Sequence, residues 1–174
     1  MAFSDIAGPA GSAASPTADE RFALVAIGER IVHRVRYTRE DIAAFAAGTL
    51  DRNPVHHSID AARRAGHADV IASGQQTSSL MSGLAASHFS RGDDGVAREM
   101  LCLNFNFAYR EPILAGQELT LEWEVADTEW SESLGGMVAH LEGRALADAR
   151  AAVVARGTVL VRRAVHLLPA HDLR

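Results

Sequence analysis

From Arg30 onward the apolar positions of the chain fall into two periods, and each period marks a kind of element. Ile31, His33, Val35 and Tyr37 alternate with Arg30, Val32, Arg34 and Arg36, a period of two that predicts a short, partly exposed strand. Thr38 followed by Asp41 fits a capping box opening a helix, with Ile42, Phe45 and Ala46 at helical spacing. The run Asp51-Arg52-Asn53-Pro54 ends that helix, because proline disfavours helical backbone at the residue before it. A short helix is expected from Asp60 to Ala65, stopped by Gly66, and a long one from Gln75 to near Phe89. In the long helix Thr77, Leu80, Met81, Leu84 and Ala85 form an apolar stripe, and small residues fill the rest. That pattern predicts a helix wrapped on most sides.

Beyond the loop at 92–95 the period returns to two. Leu101, Leu103, Phe105 and Phe107 alternate with Cys102, Asn104 and Asn106, and Leu119, Leu121, Trp123 and Val125 alternate with Thr120, Glu122 and Glu124. Two more strands are expected, from Met137 to Ala147 and from Ala151 to Arg163. Long strands joined by short connections predict an antiparallel sheet, since parallel pairing needs long crossovers. A sheet of about five strands with one nearly apolar helix packs most simply by curling around it, so the expected fold class is α+β.

Composition narrows the chemistry. The 174 residues fit one domain, expected over 21–165, with a tail at 166–174. The first twenty residues, rich in Ala, Gly, Ser and Pro, lack the basic start of a secretory signal and read as a disordered leader. All 17 basic residues are arginine, which excludes Schiff-base chemistry and the lysine-bearing phosphate loop. The single cysteine, Cys102, excludes an internal disulfide and a cysteine-ligated zinc, and its strand position predicts packing rather than reaction. A net charge of −5 argues against a nucleic-acid partner, and the absence of a long apolar run argues against a membrane span. A soluble, cytoplasmic domain is expected.

Two places could carry chemistry. Asp51, Asn53 and His56 sit around Pro54, where one rigid turn can present a carboxylate and an imidazole as an acid–base pair. The structural alternative has Asp51 capping the turn, Asn53 in a left-handed position and His56 on the surface. The second place is Ser73-Gly74, before the long helix. Free N–H groups at a helix start, with glycine permitting close approach, can hold a carbonyl oxygen that gains charge during reaction. Taken alone, it reads first as an ordinary capped helix start. A metal site from His56, His57 and Asp60 lacks a recognised ligand spacing. Ser82 reads as a packing residue bonded to the previous turn, and no G-x-S-x-G elbow occurs.

Taken together these segments resemble a known family. The stretch 37–46 followed by Asp51-Arg52-Asn53-Pro54-Val55-His56 is similar to the opening of the MaoC-like dehydratases, the (R)-specific enoyl-CoA hydratases, whose signature is Asp-x-Asn-Pro-(apolar)-His. The likeness continues through Val70-Ile71-Ala72-Ser73-Gly74, 79–84 and 107–116. It implies a hot-dog fold, usually dimeric, and hydration of a trans-2-enoyl thioester to a (3R)-hydroxyacyl thioester or the reverse. By the match Asp51 and His56 hold the water and exchange protons, Asn53 orients them, the Gly74 N–H receives the thioester enolate, and Ser82 supports Asp51. No metal or redox cofactor is implied, and the partners implied are an acyl-CoA substrate and a second copy of the chain. The same fold can also serve as a thioesterase or as a non-catalytic acyl-thioester binding or partner subunit. Leu50, Ser73 and Gln75-Gln76 depart from the family's pattern, which has glycine, histidine and apolar residues there.

Overall fold

A computed structural model describes residues 24–164; the expected leader at 1–20 and tail at 166–174 lie outside them. Five strands form one antiparallel sheet: β1 (Arg30–Arg36), β2 (Arg98–Tyr109), β3 (Glu118–Ser131), β4 (Gly136–Ala147) and β5 (Arg150–Arg163), in the order β1-β3-β4-β5-β2. Three helices accompany it: α1 (Arg39–Gly48), α2 (Ile59–Arg64) and the long α3 (Gly74–Phe89). Thr38 and Asp41 form the expected capping box at the start of α1.

The sheet curls around α3. Leu119, Leu121, Trp123 and Val125 of β3 are all buried, as their alternation predicts, and Trp123 Nε1–H donates to the Met81 carbonyl at 2.9 Å. Two glycines make room for rings on the concave face: a β-carbon on Gly143 would strike Trp123, and one on Gly157 would strike Phe105. The helix is less enclosed than its composition predicts. Met81, Ala85 and Phe89 are buried, but Ser79, Gly83 and Ser87 face outward and are exposed. Their smallness reflects an uncovered side of the helix within the single chain.

β2 corrects the expected face. Phe105 and Phe107 turn inward, yet Leu101 and Leu103 are 46% and 47% exposed. The register slips between Cys102 and Asn104, and a one-residue slip sends the side chains before it to the opposite face. Cys102 is exposed at the sheet edge rather than packed.

The C-terminal end of α3 is tied down by charge. Glu29 meets His88 at 2.7 Å and Arg91 at 2.8 Å. Burial pushes the Glu29 carboxyl up, but bonds from Arg91, the Ala26 N–H and His88 outweigh it and hold the group below its usual value. The buried Arg98 donates to the Leu24 carbonyl and grips Asp94 with two bonds, at 2.8 and 2.7 Å. The Arg98 guanidinium holds the Asp94 carboxyl far below the ordinary carboxylate range.

Candidate active site

Asp51 is fixed by how α1 ends. The Leu50 N–H bonds to the Ala47 carbonyl and the Asp51 N–H reaches back to Ala46 at 2.8 Å, the two bonds of a Schellman closure. That closure needs a left-handed residue, and Leu50 fills it at φ 60°, 81% exposed, where glycine is the usual solution. A single 3₁₀ turn, Pro54–His56, follows, with Asn53 as its N-cap and Pro54 pre-setting the first helical φ.

The turn aims two side chains at each other. His56 is buried, and its Nδ1–H donates to the Ile71 carbonyl at 2.7 Å. The Ile71 N–H in turn bonds to the Val55 carbonyl, so one residue clamps both the main chain and the imidazole of the turn. With Nδ1 protonated, the neutral ring presents an unprotonated Nε2, which lies 3.4 Å from Asp51 Oδ2. With the ring neutral, both facing atoms are acceptors. A molecule that donates to both, such as water, completes the pair. Asp51 Oδ1 is already held by the Asn53 N–H at 2.9 Å, which leaves Oδ2 free. Asn53 thus orients Asp51 through its backbone, while its side chain caps the turn at Val55.

The supporting frame reaches further than the sequence reading did. His57 Nε2–H donates to the Asp51 carbonyl at 2.8 Å and closes the turn. Arg39 grips both oxygens of Asp69, joining the start of α1 to the segment that carries Ile71. The Arg39 guanidinium holds the Asp69 carboxyl below its usual value.

A cleft of about 340 Å³ opens beside this turn, lined among others by His56, Ile71, Gly74, Gln75, Tyr109 and Ile113. Its floor is the start of α3. Ser73 occupies the N-cap, but its side chain makes no capping bond, and the Gly74 N–H has no partner among the described residues. Tyr109 explains why glycine stands at 74: a β-carbon there would lie 2.7 Å from the ring. The Tyr109 hydroxyl donates to Ser78 Oγ at 3.1 Å, and Ser78 donates onward to the Gln75 carbonyl at 3.2 Å. Tyr109 belongs to the 107–116 segment, but nothing in its local pattern announces that contact. Ser82 donates to the Ser78 carbonyl at 2.8 Å, the local helix bond, so its proton is not directed at Asp51. A larger depression on the outer face of the sheet, lined by Arg30, Glu124, Glu122 and Arg144 among others, contains none of the candidate residues. Its Arg30–Glu124 and Arg144–Glu122 charges pair with one another.

Comparison with known proteins places the chain in a family. The profile of the MaoC-like domain matches residues 23–142, most of the chain. The chain is a member of the MaoC-like dehydratase family. Among curated relatives, a UPF0336 protein of Clavibacter michiganensis is 32% identical over 71% of this chain and 83% of its own length. One from Streptomyces avermitilis is 33% identical over 72% and 83%. Among solved structures, the R-hydratase PhaJ1 from Pseudomonas aeruginosa superposes with a TM-score of 0.70 at 20% identity, over 88% of this chain and 95% of that one. The (R)-hydratase of A. caviae involved in PHA biosynthesis gives 0.65 at 24%, over 80% and 98%. At these identities the structural likeness establishes the hot-dog fold. No described helix of this MaoC-like chain is long and apolar enough to cross a membrane.

Proposed function

We propose that this MaoC-like protein hydrates a trans-2-enoyl-CoA to the (3R)-hydroxyacyl-CoA, or runs the reverse dehydration. The observation that carries the reading is the pair of facing acceptors, Asp51 Oδ2 and His56 Nε2 at 3.4 Å, in a turn whose histidine shares a cleft with the Gly74 N–H. A water between them donates one hydrogen to each. In hydration the water oxygen bonds to C3 of the enoyl group while one of its protons passes to the pair. The C2=C3 electron pair moves toward the thioester oxygen, and the resulting enolate is held at the Gly74 N–H. The pair then returns a proton to C2, and the hydroxyl remains on C3. Asn53 and His57 keep Asp51 aimed throughout. Ser82 takes no part while its proton stays on Ser78.

The enzyme works in the cytoplasm as a homodimer. What supports the second copy is the outer edge of β2, which pairs with no other strand among the described residues and exposes Leu101, Leu103 and Tyr109.

The test is loss of enoyl-thioester absorbance with crotonyl-CoA and longer trans-2-enoyl-CoAs. Wild type is expected to turn over, and Asp51→Asn and His56→Ala each to lose about 10²–10⁴ in kcat while staying folded. Near-normal rates in both variants sink the mechanism. Release of free thiol with the double bond intact points to a thioesterase, and tight binding without turnover points to a binding subunit.

A further inference from the structure

Gln75 follows Gly74 at the start of α3, and the mechanism above gives its side chain no task. Gln75 lines the cleft with His56 and Gly74. Its Oε1 is engaged, because Ser73 Oγ–H donates to it at 2.7 Å. A carboxamide carries its oxygen and its nitrogen on opposite sides of one carbon, so fixing the oxygen turns the two N–H bonds of Nε2 away from Ser73. Ser73 is only 4% exposed, whereas Gln75 beside it is exposed. Among the described residues nothing accepts from Nε2. Ser73 is therefore a serine at an N-cap that does not cap. Its hydroxyl, which ordinarily satisfies a first-turn N–H, is used to aim the amide next door.

We propose that the Gln75 side-chain amide is a second donor to the reacting thioester oxygen, working beside the Gly74 N–H, and so a further catalytic residue of this site. The proposal rests on the hydratase reading. An oxygen that becomes negative in the transition state has lone pairs for two donors, and donors fixed beforehand need no reorganisation as the charge develops. The polar amide also assigns directions within the cleft. The thioester oxygen lies at the start of α3, and the acyl chain runs along the apolar side formed by Ile71, Pro112, Ile113 and Val153.

The experiment is steady-state kinetics on crotonyl-CoA for the full-length protein carrying Gln75→Ala, Gln75→Glu or Ser73→Ala, with wild type and Asp51→Asn as references. Gln75→Ala is expected to lower kcat roughly 10- to 100-fold with little change in KM. Gln75→Glu lowers it further, because a carboxylate then faces the developing charge. Ser73→Ala, which keeps the amide but releases its aim, gives a loss of a few-fold. The thermal midpoint of the Gln75 variants stays at the wild-type value, since the side chain is exposed; a merely structural role would shift the midpoint instead. If both Gln75 variants keep kcat within about twofold of wild type while Asp51→Asn is inactive, or if their kcat falls only together with the midpoint, this proposal alone is overturned. If wild type turns over no enoyl-CoA of any length, the hydratase reading fails and this one with it.

Discussion

The two ends of α3 are built on opposite rules. At its C-terminal end every charge has a partner: Glu29 has His88 and Arg91, and Arg98 holds Asp94 and the Leu24 carbonyl. At its N-terminal end the capping serine is diverted, the Gly74 N–H is unbonded among the described residues, and two acceptors face one another across 3.4 Å. A sequence selected only for stability would satisfy both ends alike. One end instead anchors the helix, and the other leaves donors and acceptors without partners among the described residues, as the proposed function requires. Departures from local satisfaction are what a working site is made of.

The comparison is broken most sharply at the anchored end. Arg98→Met removes a buried guanidinium and strips the Leu24 carbonyl of its donor, and is expected to cost about 3 kcal/mol in chemical denaturation. Turnover per folded molecule is expected to stay near wild type, because no atom of the cleft is touched. A variant that keeps its stability but loses kcat would refute the division of labour.

Acid acts on both ends. The carboxyls of Asp69, Asp94 and Glu29 all lie below their usual values in the fold. Groups depressed by folding contribute stability above the unfolded carboxylate range, about pH 4, and lose it as the pH falls toward their folded values. The thermal midpoint is therefore expected to be flat above about pH 5 and to fall below about pH 4. A midpoint that rises on acidification would contradict the assignment. Asp69→Asn should remove the part of this slope that belongs to the site's own frame, leaving the part at Glu29 and Asp94.

The smallest effect lies at Leu50. Its left-handed backbone strains a branched residue, and glycine relieves that strain while losing more freedom on folding. Leu50→Gly is expected to gain about 0.5 kcal/mol net with kcat unchanged, measured by denaturant midpoint. A loss of stability would mean that Leu50 carries no net backbone strain in the Schellman closure.

Much of this was legible in the chain. The Thr38/Asp41 box, the β3 alternation and the helix starting at Ser73-Gly74 are local patterns, and local forces decide them. The spacing of Asp51, Asn53 and His56 likewise survives because one Pro-fixed turn carries all three. What the sequence did not reveal depends on partners distant along the chain. The face of Leu101 is decided by a slip against β5, and the imidazole of His56 is oriented by a carbonyl fifteen residues away. The open side of α3 follows from how far the sheet reaches around it, which no periodicity encodes. The bond from Ser73 to a side chain, with no first-turn N–H donating to its oxygen, is local, but spacing alone does not separate a serine that caps from one that donates to a neighbouring amide.

The empty positions at Gly143 and Gly157 work as a ruler. They set how deep the rings of Trp123 and Phe105 sink into the curl of the sheet, and the Trp123 indole is fastened to the backbone of α3 at Met81. The height of the helix above the strands is thereby written in two absent methyl groups. Lengthening that ruler by one carbon lifts the helix and with it the first turn that borders the cleft. The shape of that cleft would then change through a residue that does not line it.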